Sequence, residues 1–251
     1  MTRKTLTDDW ASATKGLFRL ENNVWNKGDL VNGEDFRQTI SYNPANLSTS
    51  LKFAWNWPEA DHILAYPEIV AGYKPWSGAG SNALTARVST IEALTIDLDY
   101  DIAGQTDLFN AAIDMWLTKR AHGPASSITT EVKIWTHAGE ISDPSGRKIG
   151  IYRDGDFRAE IWVANDSGAN QPMRYITLVS NREIRDETLD IGRLLHKLAD
   201  RHLVNEDSFF NGYEFGAELA GGKGSLTVHH LDHDLETTQT AATDLMGHGQ
   251  V

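Results

Sequence analysis

Alternation of period two is the feature that most constrains this chain. It recurs in short runs, Leu47–Trp57, Ala86–Leu98, Phe109–Thr118, Thr129–His137, Arg158–Val163, Arg174–Val179, Gly212–Ala217 and Ser225–His230, with Gly, Asn, Asp or Pro between them. Such runs read as half-buried β-strands joined by turns. With no alternation of strand and helix units, they predict an all-β sandwich or rolled sheet and argue against a parallel α/β fold. One segment breaks the pattern. Over Thr188–His202, Ile191, Leu194, Leu195 and Leu198 fall on one helical stripe, with Arg193, Lys197, Asp200 and Arg201 on other faces. That predicts a single amphipathic helix packed against the sheets. No repeat or linker divides the 251 residues, so one domain is expected, with a folded core over about 16–235 and a polar, flexible tail over 236–251. The first fifteen residues are expected to fray as well.

Charge removes several functions. Against 35 Asp and Glu the chain sets only 23 Lys and Arg, a net charge of −12, and no basic stretch is clustered. The electrostatic footprint needed for nucleic acid or an anionic membrane is therefore missing. No apolar run approaches the ~20 residues that span a bilayer. Met1–Gly16 contains no apolar h-region, so no signal peptide is visible. Zero cysteine removes disulfides, thiolate metal sites and thiol nucleophiles together. His229, His230 and His233 with Asp232 and Asp234 are ligand types for zinc or calcium. Adjacent strand residues point to opposite faces, however, and the segment reads as a polar strand end, so no metal is expected. Gly78-Ala-Gly80 and Gly221-Gly-Lys-Gly224 read as turns, because neither follows a strand and opens a helix. No Gly-x-Ser-x-Gly elbow occurs.

The carboxylates are more informative. In Thr129–His137, alternation puts Glu131, Lys133 and Trp135 on one face and Val132 and Ile134 on the other. Asn110–Leu117 repeats the design, with Asn110, Asp114 and Trp116 opposite Ile113, Met115 and Leu117. In Gly212–Glu218, Glu214 and Glu218 oppose Tyr213 and Phe215. The polar face of these strands is either the solvent side of an antiparallel sheet or a ligand cleft. Two features favour the cleft. Tryptophan on a solvated face is costly unless it binds something, and paired carboxylates are the equipment for cleaving glycosidic bonds.

At these residues the chain resembles glycoside hydrolase family 12, the β-jelly-roll endoglucanases and xyloglucanases, from about Glu21 to about Leu231. Asn22-Asn-Val-Trp-Asn26 is similar to the family's Asn-Asn-x-Trp segment. Phe53-Ala-Trp-Asn-Trp57 and Tyr66-Pro-Glu-Ile-Val70 match the next two. Asn110-Ala-Ala-Ile-Asp-Met-Trp116 resembles the strand whose aspartate supports the nucleophile, and Glu131-Val-Lys-Ile-Trp135 resembles the nucleophile motif, 17 residues further on. Trp162 with Gly168-Ala-Asn170, the helix, and Phe215-Gly-Ala-Glu218 follow in the family's order. Seven weak motifs in one order carry what none carries alone.

The resemblance implies a two-sheet antiparallel β-jelly-roll sandwich with one helix and an open substrate cleft. It implies a retaining endo-glucanase in which Glu131 is the nucleophile, Glu218 the acid/base and Asp114 a hydrogen-bonding support for Glu131. Asn23 and Trp25 would bind sugar, Trp135 and Trp116 would line the cleft or else pack in the core, and Trp55 and Trp57 are divided between cleft and core. The partner would be a β-1,4-glucan, met by a monomer without metal or organic cofactor. Secretion, which the family implies, and a cytoplasmic location both stay open. Departures accompany the matches. Lys133 replaces the family's methionine, Ala217 its threonine, and Glu214 adds a carboxylate where the family is usually uncharged. An ammonium beside Glu131 favours the ionised state that a nucleophile needs. If it also reaches Glu218, it works against the protonated state that an acid needs. A non-hydrolytic β-glucan-binding protein or a transglycosylase on the same scaffold are the competing readings, and the preferred glucan depends on loops around Tyr73–Trp76 and Ser142–Arg147.

Overall fold

Period two becomes strands of two sheets in the computed structural model, which describes residues 2–141, 144–166 and 173–238. From the N-terminus come β1 (Lys4–Leu6), β2 (Ser12–Lys15), β3 (Phe18–Glu21), β4 (Arg37–Tyr42), β5 (Thr49–Trp57) and β6 (Glu68–Lys74). The short β7 (Ala79–Gly80) and β8 (Ala86–Arg87) are followed by β9 (Ile91–Gly104), β10 (Phe109–Thr118) and β11 (Ile128–His137). Next are β12 (Arg147–Asp154), β13 (Phe157–Asp166), β14 (Met173–Ser180) and β15 (Asp186–Asp190), which leads into helix α1 (Ile191–Asp200). β16 (Phe209–Phe210), β17 (Gly212–Leu219) and β18 (Gly222–Thr237) complete the strands. A six-stranded sheet has the order β1-β4-β5-β18-β9-β15. A twelve-stranded sheet runs β12-β13-β14-β11-β10-β17-β6-β3-β2, with the short β7, β8 and β16 off that path. Neighbours are antiparallel except β11 and β14, which run parallel.

The main core lies between the sheets. Ile113, Met115 and Leu117 of β10, Val132 and Ile134 of β11, and Tyr213 and Phe215 of β17 are buried there with Leu51 and Phe53 of β5 and Ile96 and Leu98 of β9. Each such side chain contributes roughly 1.5–3 kcal/mol on burial. Alternation then sends the next residue of each strand to the outer face of the larger sheet. Trp55 and Trp57 belong to the core, not to a cleft. Trp55 packs edge-on to Phe109, and Trp57 stacks on Phe36 at 3.6 Å while its Nε1–H donates to Gln38 Oε1 at 3.0 Å.

Several boundaries differ from expectation for identifiable reasons. The stripe Ile191, Leu194, Leu195 and Leu198 is buried as expected. The helix nevertheless begins only at Ile191, because Thr188–Asp190 pair with β9 and the Asp190 carboxylate caps the helix by accepting the Arg193 backbone N–H at 2.8 Å. The Ala86–Leu98 run is broken by a 3₁₀ turn at Val88–Thr90. β1 and β2 hold part of the N-terminal segment expected to fray, pairing with β4 and β3. At the other end β18 pairs with β9 as far as Thr237, past the expected edge of the core. Gly168-Ala-Asn170, Ser142 of the Ser142–Arg147 loop and the tail from 239 onward lie outside the described residues. His229 and His230 meet different aspartates, Asp101 and Asp97, while His233 faces the Tyr213 hydroxyl.

Candidate active site

β11, β10, β17, β6 and β3 lie side by side, and their outward residues form a ladder of charge. Lys133 pairs across to Asp114, Asp114 to Glu214, Asn110 to Glu218, and Glu68 to Glu21. Gly216, between Glu214 and Glu218, faces Glu68. A Cβ there would sit 2.2 Å from the Pro67 carbonyl oxygen, so only glycine lets β17 and β6 close up at this point.

The carboxylates expected to do chemistry meet on one ammonium. Lys133 Nζ lies 2.8 Å from Glu131 Oε1, 2.6 Å from Glu218 Oε1 and 3.4 Å from Asp114 Oδ2. Glu131 and Glu218 come from strands separated by β10, yet these oxygens are no farther apart than the two shorter contacts laid end to end. That limit agrees with the about 5–5.5 Å between the carboxyl groups of a retaining glycosidase. Glu131, Glu218 and Asp114 are all buried, and the Lys133 side chain is 18% exposed. Asp114 makes no direct hydrogen bond to Glu131. Its link to that residue runs through Lys133, and its Oδ1 has no hydrogen-bond partner among the described residues. Burial, then the nearby Glu131, raises the Asp114 carboxyl well above its usual range. Burial alone would lower the Lys133 ammonium, but Asp114, Glu131 and Glu218 together outweigh it and raise it.

Sequence reading missed a second cluster beside the first. Lys74 Nζ lies 2.7 Å from Glu68, 3.2 Å from Glu21 and 3.4 Å from Glu214, and all four side chains are buried. Glu68 Oε1 also accepts from Asn23 Nδ2 at 2.8 Å, and Asn23 Oδ1 accepts the Trp25 backbone N–H at 3.0 Å. Trp25 is thereby held beside this face and is 58% exposed. A second exposed indole, Trp76, meets Trp116 edge-on at 5.2 Å, and Trp116 pairs across to Glu131. Trp135 shares the face of Glu131 but is buried, in a small apolar cluster with Tyr66 and Ala112 outside the main core. Tyr66 fixes that cluster by donating to the Ala112 carbonyl at 2.8 Å.

Burial raises Glu214 and Glu21, with the Glu68 charge adding to both. Asp114, Glu21 and Glu214 therefore hold protons in the fold at pH values where the unfolded chain has released them. The stability they add is complete below the ordinary carboxylate values, 3.8 for Asp114 and 4.5 for the two glutamates, and is lost as pH rises through the raised ones. The thermal midpoint is expected to be higher at pH 5 than at pH 8. Glu214→Gln is expected to flatten that difference. A wild-type midpoint that rises with pH, or an unchanged slope in Glu214→Gln, would contradict the assignment.

A β-sandwich that gathers two acidic side chains on the outer face of its larger sheet, beside exposed indoles, is the build of a polysaccharide-cleaving enzyme. The sequence model of Glycosyl hydrolase family 12 matches residues 16–236, and the chain belongs to that family. Among its relatives, the "Xyloglucan-specific endo-beta-1,4-glucanase A" of Aspergillus niger is 20% identical over 93% of this chain and 92% of its own. The family 12 xyloglucanase of Bacillus licheniformis, solved with a ligand, superposes with a TM-score of 0.81 at 23% identity over 93% of this chain and all of its own. The catalytic domain of Humicola grisea Cel12A, solved with a soaked thio cellotetraose, gives 0.77 at 19% identity over 93% and 99%. At these identities the superpositions speak for the fold, which is the expected two-sheet sandwich with one helix.

Proposed function

We propose that this chain is a retaining, endo-acting β-1,4-glucanase with xyloglucan as its first substrate. The observation that carries the reading is the convergence of Glu131 and Glu218 on one point of the outer face. Glu131 attacks the anomeric carbon, the bond to the leaving O4 breaks, and Glu218 gives that oxygen its proton. Glu218 then takes a proton from water as the water displaces Glu131 and releases the β-configured sugar. Asp114, buried between the two, supports the nucleophile through their shared ammonium. Trp25 stacks on a sugar ring and Asn23, buried and bonded to Glu68 and the Trp25 N–H, braces it instead of meeting sugar hydroxyls, while Trp116, with Trp76 against it, and Trp135 support the face around Glu131. The xyloglucan-specific name of the Aspergillus niger relative and the xyloglucanase name of the Bacillus licheniformis one favour that glucan over plain cellulose.

The test is release of reducing ends from xyloglucan, mixed-linkage β-glucan and carboxymethylcellulose, with the product anomer followed by NMR. Cleavage giving β-product first is expected. No cleavage of any of the three, or α-product first, defeats the reading. Trp25→Ala is expected to raise KM about 3–10-fold with a smaller change in kcat, since an aromatic stacking contact is worth roughly 0.5–1.5 kcal/mol. An unchanged KM would remove Trp25 from the substrate path.

A further inference from the structure

The nucleophile and the acid/base share one cation, and the acid/base has the shorter contact: Lys133 Nζ lies 2.6 Å from Glu218 Oε1 and 2.8 Å from Glu131 Oε1. The second oxygen of Glu218 is engaged too. Asn110 Nδ2 donates to Glu218 Oε2 at 3.2 Å, and the orientation of that amide is fixed because Asn110 Oδ1 accepts the Gly139 N–H at 2.9 Å. An ammonium and an amide NH₂ are donors only. Both oxygens of Glu218 are thus met by groups that cannot accept a proton from it, so within this cluster its O–H would have no acceptor and the only outlet for its proton is the substrate. Around Lys133 the strands supply Asp114 from β10, Glu131 from β11 and Glu218 from β17, while on β14 its cross-strand partner is the uncharged Thr177.

We propose that Lys133 is a specificity-determining residue that acts through Glu218: its ammonium works against the proton donation that glucan cleavage needs, and so widens the chain's preference for β-glucosyl donors whose leaving group departs without a proton. The inference rests on the roles given above to Glu131 and Glu218. In the first step Glu131 forms the bond to the anomeric carbon while the glycosidic bond breaks. A sugar hydroxyl leaves well only if Glu218 protonates it, whereas a phenol of low pKa leaves as the phenolate and asks nothing of Glu218. In the second step Glu218 is wanted as a base, which is the state Lys133 favours. Lys133 therefore slows glycosylation by unactivated glucan and spares deglycosylation. Beside xyloglucan, the substrate class this favours is β-gluco-oligosaccharides with a phenolic aglycone.

The experiment is a series of aryl β-cellotriosides, from 2,4-dinitrophenyl to unsubstituted phenyl, assayed for kcat/KM with wild type and Lys133→Met. Wild type is expected to fall steeply as the leaving group becomes more basic. Lys133→Met is expected to fall less steeply, with a gain of up to ~10²-fold at the phenyl end relative to the dinitrophenyl end, the lower range of what general acid catalysis supplies. A flatter slope cannot come from a merely structural role, which would lower every substrate alike or, by displacing Glu218, steepen the slope. Equal slopes overturn the proposal, as does a wild-type slope near zero. If Lys133→Met does not fold, Lys133→Gln takes its place in the series and the same comparison of slopes decides. Labelling of Glu131 by a 2-deoxy-2-fluoro aryl donor separates the two readings. Labelling with equal slopes defeats only the role of Lys133, whereas no labelling and no turnover of the dinitrophenyl donor defeats both.

Discussion

Glu131→Gln is expected to lower kcat on xyloglucan by on the order of 10⁴–10⁶-fold, the range seen when members of a nucleophilic constellation are removed. The amide keeps the shape of the carboxylate and an oxygen that can still accept from Lys133 Nζ, which lies 2.8 Å from Glu131 Oε1. It has no negative charge with which to attack the anomeric carbon. Packing should survive, because Val132 and Ile134, which anchor this stretch of β11 in the core, are untouched. The measurement pairs steady-state kinetics with thermal unfolding, so that lost activity is read only from protein that melts like wild type. Glu131→Gly assayed with added azide completes the argument. The small anion enters the space left by the carboxylate and attacks from the same side, and its product is the β-glycosyl azide only if a glycosyl-enzyme is first formed elsewhere. An α-glycosyl azide therefore identifies Glu131 as the nucleophile. A loss of less than about tenfold in the glutamine variant would take the reaction away from this residue.

How much of this was legible from residues alone depended on whether a strand has two different faces. β10 was read with its observed ends, and β11 and β17 with the right residues outward, because each has one face in the inter-sheet core and one face of charge and indole. β6 was missed. Ile69 and Ala71 point into the core, but Val70 and Gly72 on its other face are covered too, so Glu68–Lys74 shows no alternation and hides both members of its ion pair. β1, β2 and β3 are three or four residues long, too short for a period to register. Tryptophan was ambiguous for a related reason. Trp55 and Trp57 alternate as cleanly as Trp116 and Trp135, and only the pairing of β5 into the six-stranded sheet puts the first pair in the core. Lys133 was visible as a departure from the family pattern, but its closer approach to Glu218 than to Glu131 depends on a register between strands that are distant in sequence.

The largest loss of stability is expected from Lys74→Met. This one ammonium lies within 3.4 Å of Glu68, Glu21 and Glu214, and removing one partner of a buried ion pair typically costs about 3–5 kcal/mol because the remaining charge has neither water nor counter-charge. Arg19 softens the loss at Glu21, where its Nε lies 3.1 Å away, and Asn23 softens it at Glu68 with one hydrogen bond. Neither is paired with Glu214, whose Oε1 has no hydrogen-bond partner among the described residues. The remaining relief is protonation. Glu21 and Glu214 already have raised values, by burial first, and loss of the neighbouring cation must raise them further. The deficit of the variant should therefore be greatest at pH 8 and shrink toward pH 5, as protons neutralise what Lys74 no longer does. Urea unfolding at the two pH values measures this directly. A deficit below about 1 kcal/mol at pH 8, or one that is the same at both, would mean that the cluster does not depend on its cation. Function should follow stability here, because Lys74 and Asn23 share Glu68 Oε1 and Asn23 in turn fixes the backbone of Trp25. In the folded variant at pH 5, KM for long xyloglucan chains should rise as it does in Trp25→Ala, since both changes loosen the same indole.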